Sequence, residues 1–200
     1  MSDGGPVRAF LALPPDPMWG ESARGLVGAV RPESPEAAWT RPDAWHMTLK
    51  FLGESPRAVL EEFAHEIAAA AAATAPGELQ AAGAAIFPER GTPRVLAVGF
   101  TGAALEGVER LAAAAESAAR RLRLAEEQRP FHPHVTLARL RSRWPADAIE
   151  RFRAAAAGWT FPPWQTRTCV LYASRLGPKG AAHTPLAEWT LGGGKRGTTA

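Results

Sequence analysis

Two short stretches of this sequence carry the same four-residue pattern, His46-Met47-Thr48-Leu49 and His134-Val135-Thr136-Leu137, 88 residues apart. With 13 Thr and 18 Leu in the chain, a given His begins such a tetrad by chance roughly 0.6% of the time, so two among five His is an accident on the order of three in ten thousand. Each tetrad sits in an apolar, alternating segment that reads as a strand, where side chains two apart share a face. His46 with Thr48, and His134 with Thr136, therefore each present an imidazole and a hydroxyl to one side. If the two segments are brought together, two imidazoles face a common space with a hydroxyl donor beside each, which suits a phosphate. Displacement at phosphorus needs one group to take a proton from the nucleophile and another to give one to the leaving oxygen. Imidazole, titrating near 6.5, can do either at neutral pH, so the chemistry calls for no metal and no cofactor. A structural role, with each His hydrogen-bonded at a strand edge, is the competing reading, and the matched composition, flanks and strand context weigh against it.

The elements needed to hold these strands can be read from the rest of the chain. Arg8 to Leu13 reads as a first strand stopped by Pro14-Pro15, and Met18 to Val30 as a helix. A proline-rich loop from Arg31 to Asp43 then leads into the strand Trp45 to Leu52. Ser55 as N-cap and Pro56 at the first position open a helix running to about Ala73. Strands near Leu79 to Phe87 and Arg94 to Phe100 follow, joined by a turn at Pro88–Pro93. The plan then repeats: a helix from about Ala104 to Leu122, the strand of the second tetrad, a helix opened by Trp144-Pro145, and a strand from Thr166 to Ala173 that feeds a turn at Gly177-Pro178. An internal duplication of about ninety residues is the expectation. Residues 192–200 contain no apolar side chain larger than alanine and are expected to form a flexible tail beyond a single domain at 1–191.

Composition sets outer limits. Two hundred residues with 46% hydrophobic and 22% charged content and a net charge of +3 specify a globular chain rather than a disordered or polybasic one. Arginine outnumbers lysine 20 to 3, and its planar fork suits phosphate recognition. The lone Cys169 cannot form an internal disulfide and reads as a small buried hydrophobe, which fits a reducing cytoplasm. No segment reads as a signal peptide or membrane span. His132-Pro133-His134 does not make a metal site, because no second cluster is spaced to complete a coordination shell.

Trp45-His46-Met47-Thr48-Leu49-Lys50-Phe51-Leu52-Gly53-Glu54, Phe131-His132-Pro133-His134-Val135-Thr136-Leu137-Ala138-Arg139 and Ser174-Arg175-Leu176-Gly177-Pro178 closely resemble the two-histidine (2H) phosphoesterase superfamily. Within it they are most similar to the RNA 2′,3′-cyclic phosphodiesterase family, also known as 2′-5′ RNA ligase. The resemblance implies an α+β, bilobal, pseudo-duplicated fold: two antiparallel sheets around a central cleft, with helices outside. It implies hydrolysis of terminal 2′,3′-cyclic phosphates, on RNA ends or small cyclic nucleotides, to 2′-phosphomonoesters; apart from the resemblance, a monomer in the cytoplasm with no membrane partner is the expectation. Carried over by position, His46 would protonate the departing 3′ oxygen, His134 would activate water, and Thr48 and Thr136 would hold the phosphate. The near-identical tetrads themselves leave the two histidine roles exchangeable.

The family pattern also makes Arg139 a substrate contact, although strict alternation places it on the face opposite His134 and Thr136 unless a bulge re-aims it. Lys50 has the parity of His46 but reads as a solvated edge residue. His183 stands where relatives carry an aromatic such as tyrosine, and its role is open. The alternatives are 2′-5′ ligation, the same proton traffic with a 5′ hydroxyl in place of water, and a binder of RNA terminal phosphates without turnover.

Overall fold

The computed structural model describes residues 5–177, 180–193 and 195–196. The order is β1 (Val7–Leu13), α1 (Pro17–Val30), β2 (Ala38–Trp39), β3 (Met47–Ser55), α2 (Arg57–Ala73), β4 (Gly77–Phe87), β5 (Val95–Thr101), α3 (Leu105–Arg121), β6 (His134–Arg139), α4 (Ala146–Gly158), β7 (Trp164–Thr166), β8 (Thr168–Gly177), β9 (Gly180–Thr190) and β10 (Lys195–Arg196). The strands form one antiparallel path, β10-β9-β8-β1-β3-β6-β5-β4-β7, with β2 added to β6. The expected α+β architecture is observed.

The path divides naturally at its middle. β3 and β6 share one ladder pair, Met47↔Val135, whereas β1 matches β3 over seven positions and β5 matches β6 over five. One lobe is thus β1, β3, β8, β9 and β10, and the other is β2, β4, β5, β6 and β7. The lobes are not the two sequence halves. Each borrows strands from the other half, β8 and β9 joining β1 and β3, and β4 joining β5 and β6. The helices are exchanged too: α3 lies on β3 beside α2, while α1 packs with α4 on the other lobe. This exchange ties the duplicated halves into one body with a single continuous core.

That core explains the outer elements. Asp16 caps α1 by accepting from the backbone N–H groups of Met18 and Trp19, satisfying donors that a helix start leaves free. The same helix then buries Trp19 against Phe100, Phe161 and Trp164. Ser55 does not cap α2 as expected. Its hydroxyl donates instead to the Leu52 carbonyl at 3.0 Å, and Pro56 occupies the cap position without a side-chain bond. Cys169 is fully buried on β8, and burial pushes its thiol pKa up. Of the expected tail, residues 194 and 197–200 lie outside the described residues; Gly192 and Gly193 form a turn, and Lys195–Arg196 pair with Glu188 and Trp189 of β9. The expected Gly177-Pro178 turn likewise falls partly outside them.

Candidate active site

The single pair joining the lobes, Met47↔Val135, consists of the residues that follow the two histidines. In an antiparallel pair this register sets His46 across from Thr136 and Thr48 across from His134, all four on the face opposite Met47 and Val135. Met47 and Val135 are fully buried, so their face belongs to the core, and the His/Thr face is the half-exposed one. A local two-fold passes through this pair. Diagonal neighbours in such a ladder lie roughly 7–8 Å apart, so His46 and His134 flank a space suited to one phosphate group.

Both rings are held alike. Nδ1 of His46 lies 2.8 Å from the Ala44 carbonyl oxygen, and Nδ1 of His134 lies 2.7 Å from the His132 carbonyl oxygen. A carbonyl can only accept, so each Nδ1 must carry a proton, and in the neutral ring each Nε2 is left bare as an acceptor. Each ring also rests on a phenylalanine. Phe10 of β1 has its centroid 4.5 Å from His46, and Phe87 of β4 has its centroid 4.7 Å from His134. These two aromatics come from strands far from the tetrads in sequence, and the sequence carries no local sign of them.

The strands continue in step beyond the tetrads. Residues 46–51 and 134–139 share one order of exposure: half-exposed, buried, half-exposed, buried, buried, exposed. Two consecutive buried residues break strand alternation, and the cause is a bulge in each. On β3, Thr48 pairs with Ala12 and Lys50 with Leu11, leaving Leu49 as the extra residue; on β6, Thr136 pairs with Ala97 and Ala138 with Leu96, leaving Leu137. An inserted residue reverses the parity beyond it. The bulge therefore returns Arg139 to the face of His134 and Thr136, and its charge acts on both histidines.

The same bulge takes Lys50 away from the site. Lys50 is only 3% exposed, and its Nζ donates to Glu116 Oε2 and to the Ala125 carbonyl, each at 2.6 Å. It is a buried anchor between β3 and α3 rather than a solvated edge lysine. Phe51 takes the position equivalent to Arg139, 37% exposed, with the Arg8 guanidinium 4.4 Å above its ring.

His183 of β9 joins the first lobe's wall. Its ring stands edge-on to His46 at 5.1 Å and to Phe10 at 4.9 Å, with Tyr172 at 6.0 Å. Its Nδ1 is buried and has no hydrogen-bond partner among the described residues. Burial lowers its pKa, with Asp43 opposing and Arg41 reinforcing the shift. His46 is affected most. Burial, then the neighbouring His183, Arg139 and His134, pull it from 6.5 to about 4 against the raising effect of the Ala44 carbonyl. His134 is also lowered, by burial first and then by Arg139 and His132, against its own carbonyl partner. Desolvation disfavours the imidazolium in each case. The site thus holds two neutral imidazoles near the Arg139 guanidinium, an environment that favours an anion. Among the described residues, no group of three or more His, Cys, Asp or Glu side chains is placed to hold a metal, and no helix is long and apolar enough to cross a membrane.

Comparison with known proteins agrees with this geometry. The sequence profile of the 2′-5′ RNA ligase superfamily matches residues 14–172. An RNA 2′,3′-cyclic phosphodiesterase of Thermus thermophilus is 33% identical over 188 residues, covering 86% of each chain. The crystal structure of TT0787 of Thermus thermophilus superposes with a TM-score of 0.73 at 28% identity, covering 93% of this chain and 98% of that one. E. coli LigT in its apo form superposes with a TM-score of 0.69 at 23% identity, over 94% of this chain and 98% of that one, a likeness of fold.

Proposed function

The chain belongs to the 2′-5′ RNA ligase superfamily, and from that premise we propose that it is an RNA 2′,3′-cyclic phosphodiesterase whose proton transfers are carried by His46 and His134. The observation that carries this reading is the two-fold placement of the His/Thr pairs about Met47↔Val135, with both Nδ1 atoms engaged by the carbonyl two residues earlier. Curated relatives named RNA 2′,3′-cyclic phosphodiesterase support the substrate class.

In the proposed reaction, the cyclic phosphodiester sits between the rings with its non-bridging oxygens toward Thr48, Thr136 and Arg139. One Nε2 takes a proton from water as the oxygen attacks phosphorus. The bond from phosphorus to the 3′ oxygen breaks, and the other Nε2–H gives that oxygen its proton, leaving a 2′-phosphomonoester. The family pattern makes His46 the donor and His134 the acceptor. Each proton transfer contributes about 10²–10⁴-fold in comparable sites. The lowered histidine pKa values then have a use: the substrate's negative charge raises them on binding, so the acid is loaded only when the anion is present. Inorganic phosphate is expected to bind with uptake of protons near pH 6, read by calorimetry in buffers of different ionisation enthalpy. The decisive experiment is hydrolysis of an oligoribonucleotide 2′,3′-cyclic phosphate with analysis of the product. A 2′-phosphate product is expected, and a 3′-phosphate product or no turnover overturns the assignment.

A further inference from the structure

One end of the second lobe carries arginines that the catalytic scheme does not use. Arg90 and Arg94 lie on the β4–β5 turn, and Arg141 and Arg143 follow Arg139 on the β6–α4 connection. Backbone bonds hold these two segments side by side: Arg94 N–H donates to the Phe87 carbonyl at 2.7 Å, and Leu140 N–H donates to the Arg94 carbonyl at 2.8 Å. Between them opens a cavity of about 660 Å³ whose lining includes Gly91, Pro93, Arg143, Trp144, Ile149 and Glu150. All four of these arginines are exposed, and none makes an ion pair among the described residues. Elsewhere arginines are mixed: Arg31, Arg57, Arg123, Arg167 and Arg175 are also exposed without an ion pair among the described residues, but they sit on separate elements, whereas others are paired. Arg110, Arg120, Arg121, Arg151 and Arg153 each take a carboxylate, and Arg151 and Arg153 thereby neutralise Asp147 and Glu150 beside the cavity. Glu89 is the only acid within the two segments, leaving residues 88–94 and 140–145, without Arg139, with a net charge of +3. The equivalent connection in the other lobe, after Phe51, carries Glu54 and Arg57 and is neutral.

Unpaired guanidiniums concentrated in one place are costly through mutual repulsion and favour a polyanion, whose phosphates they can grip in bidentate fashion. The surface is continuous with the active site, because Phe87, which contacts the His134 ring, leads directly into the turn. A 2′,3′-cyclic phosphate can exist only on the last nucleotide, so the rest of an RNA lies on its 5′ side and must leave the cleft over one rim. Taking the function proposed above as given, we infer that the nucleotides 5′ of the cyclic end run over the Arg90–Arg94–Arg141–Arg143 rim, making the preferred substrate an RNA strand rather than a mononucleotide.

The test compares a nucleoside 2′,3′-cyclic phosphate with a short oligoribonucleotide ending in the same group, for the wild type and for the triple variant Arg90→Gln, Arg141→Gln, Arg143→Gln. The wild type should favour the oligonucleotide in kcat/KM at low salt. The variant should raise the oligonucleotide KM about tenfold and keep its kcat and its mononucleotide kcat/KM within twofold. For single strands each lost phosphate contact lowers the steepness of log K against log salt by about 0.7, so the variant's slope should be shallower by about 2. Anisotropy of a labelled oligoribonucleotide bearing a 3′-phosphate reads this binding independently of turnover. A rim inert toward RNA would show as equal use of both substrates, an equal loss on both in the variant, or anisotropy unchanged by the substitutions. Competition by polyglutamate as effective as that by RNA would reassign the surface to an acidic peptide. Absence of hydrolysis with normal, rim-dependent RNA binding would overturn the active-site reading and leave the rim intact.

Discussion

Residues 46–51 and 134–139 are the same piece of backbone built twice, with matching exposure, matching bulges and matching carbonyl anchors for the histidine. They differ in what the shared geometry displays. Where the second strand has Ala138 and Arg139, the first has Lys50 and Phe51. The first histidine lies in a nest of Phe10, Tyr172 and His183; the second has Phe87 beside it and Arg139 on its own strand. Symmetry supplies two matched imidazoles, and in the proposed mechanism the departures from symmetry give them different jobs: a charged side for the phosphate, and an aromatic side with the sequestered ring.

Removing either imidazole tests the symmetric part and should have the largest effect. His46→Ala and His134→Ala should each lower kcat by about 10²–10⁴-fold. Equal losses with opposite changes in the pH profile would mark equal partners in different roles: loss of the base removes the acidic limb, and loss of the acid removes the alkaline one. If His46 is the donor, the alkaline limb is the one that disappears in His46→Ala. A substitution that costs little would break the pairing.

The unequal burial of the two rings predicts the next effect, on stability rather than rate. His46 titrates near 4 when folded and near 6.5 when unfolded, so between those values the unfolded chain binds more protons. Stability is therefore full above about pH 6.5 and falls as the pH drops toward 4, by up to about 3 kcal/mol from this residue. His134, also lowered, acts in the same direction. Chemical denaturation at pH 7 and pH 4.5 should show that His46→Gln flattens this dependence more than His134→Gln does. The reverse order would mean that the first ring is not the more sequestered.

Arg139 and Phe51 give the next contrast. Both occupy the exposed position after the bulge, but only Arg139 can stabilise charge on a phosphate oxygen. Arg139→Gln should lower kcat/KM about 10–100-fold, somewhat below what loss of a buried oxyanion donor costs, because Arg139 is exposed. Phe51→Leu should change KM for a nucleotide a few-fold and leave kcat alone. Steady-state kinetics on a mononucleotide separates these outcomes from any effect of RNA length.

How much of this can be read from the sequence follows from which interactions are local. The tetrads stand out because two histidines, two threonines and two leucines recur at fixed spacing, and strand alternation then places them on one face. Arg139 and Lys50 cannot be assigned by the same rule, since each lies beyond a bulge, and Leu49 and Leu137 look like any other strand residue. Simple alternation gives both the wrong parity for one reason. The phenylalanine under each ring arrives from another strand, so no spacing reveals it. The exchange of strands and helices between lobes is equally silent in a pattern that repeats cleanly along the chain. The short strand β2 lies in what reads as a plain proline-rich loop, and Ser55 has the residue type of a cap but finds a nearer carbonyl.

The smallest predicted effect concerns Lys50, set against Ala138 in the other strand. The second lobe fills this buried position with a methyl group; the first fills it with a cation held by Glu116 and the Ala125 carbonyl. Glu116 is itself held by Arg120, and its pKa is lowered by hydrogen bonds from Lys50 and Arg120 acting against the raising effect of burial. Removing the anion leaves the lysine buried with one neutral acceptor, whereas replacing the lysine with an apolar chain removes the need for one. A buried pair broken on one side usually costs about 3–5 kcal/mol, but Glu116 keeps 22% of its side chain in solvent, so water can replace part of what is lost. Glu116→Ala should cost about 1–2 kcal/mol, and Lys50→Met should cost less despite removing the more deeply buried partner. Neither should change the pH profile of hydrolysis. If Lys50→Met instead abolished turnover at unchanged stability, Lys50 would belong to the site after all, and the matched parity reversal at Leu49 and Leu137 would be the wrong account of both strands.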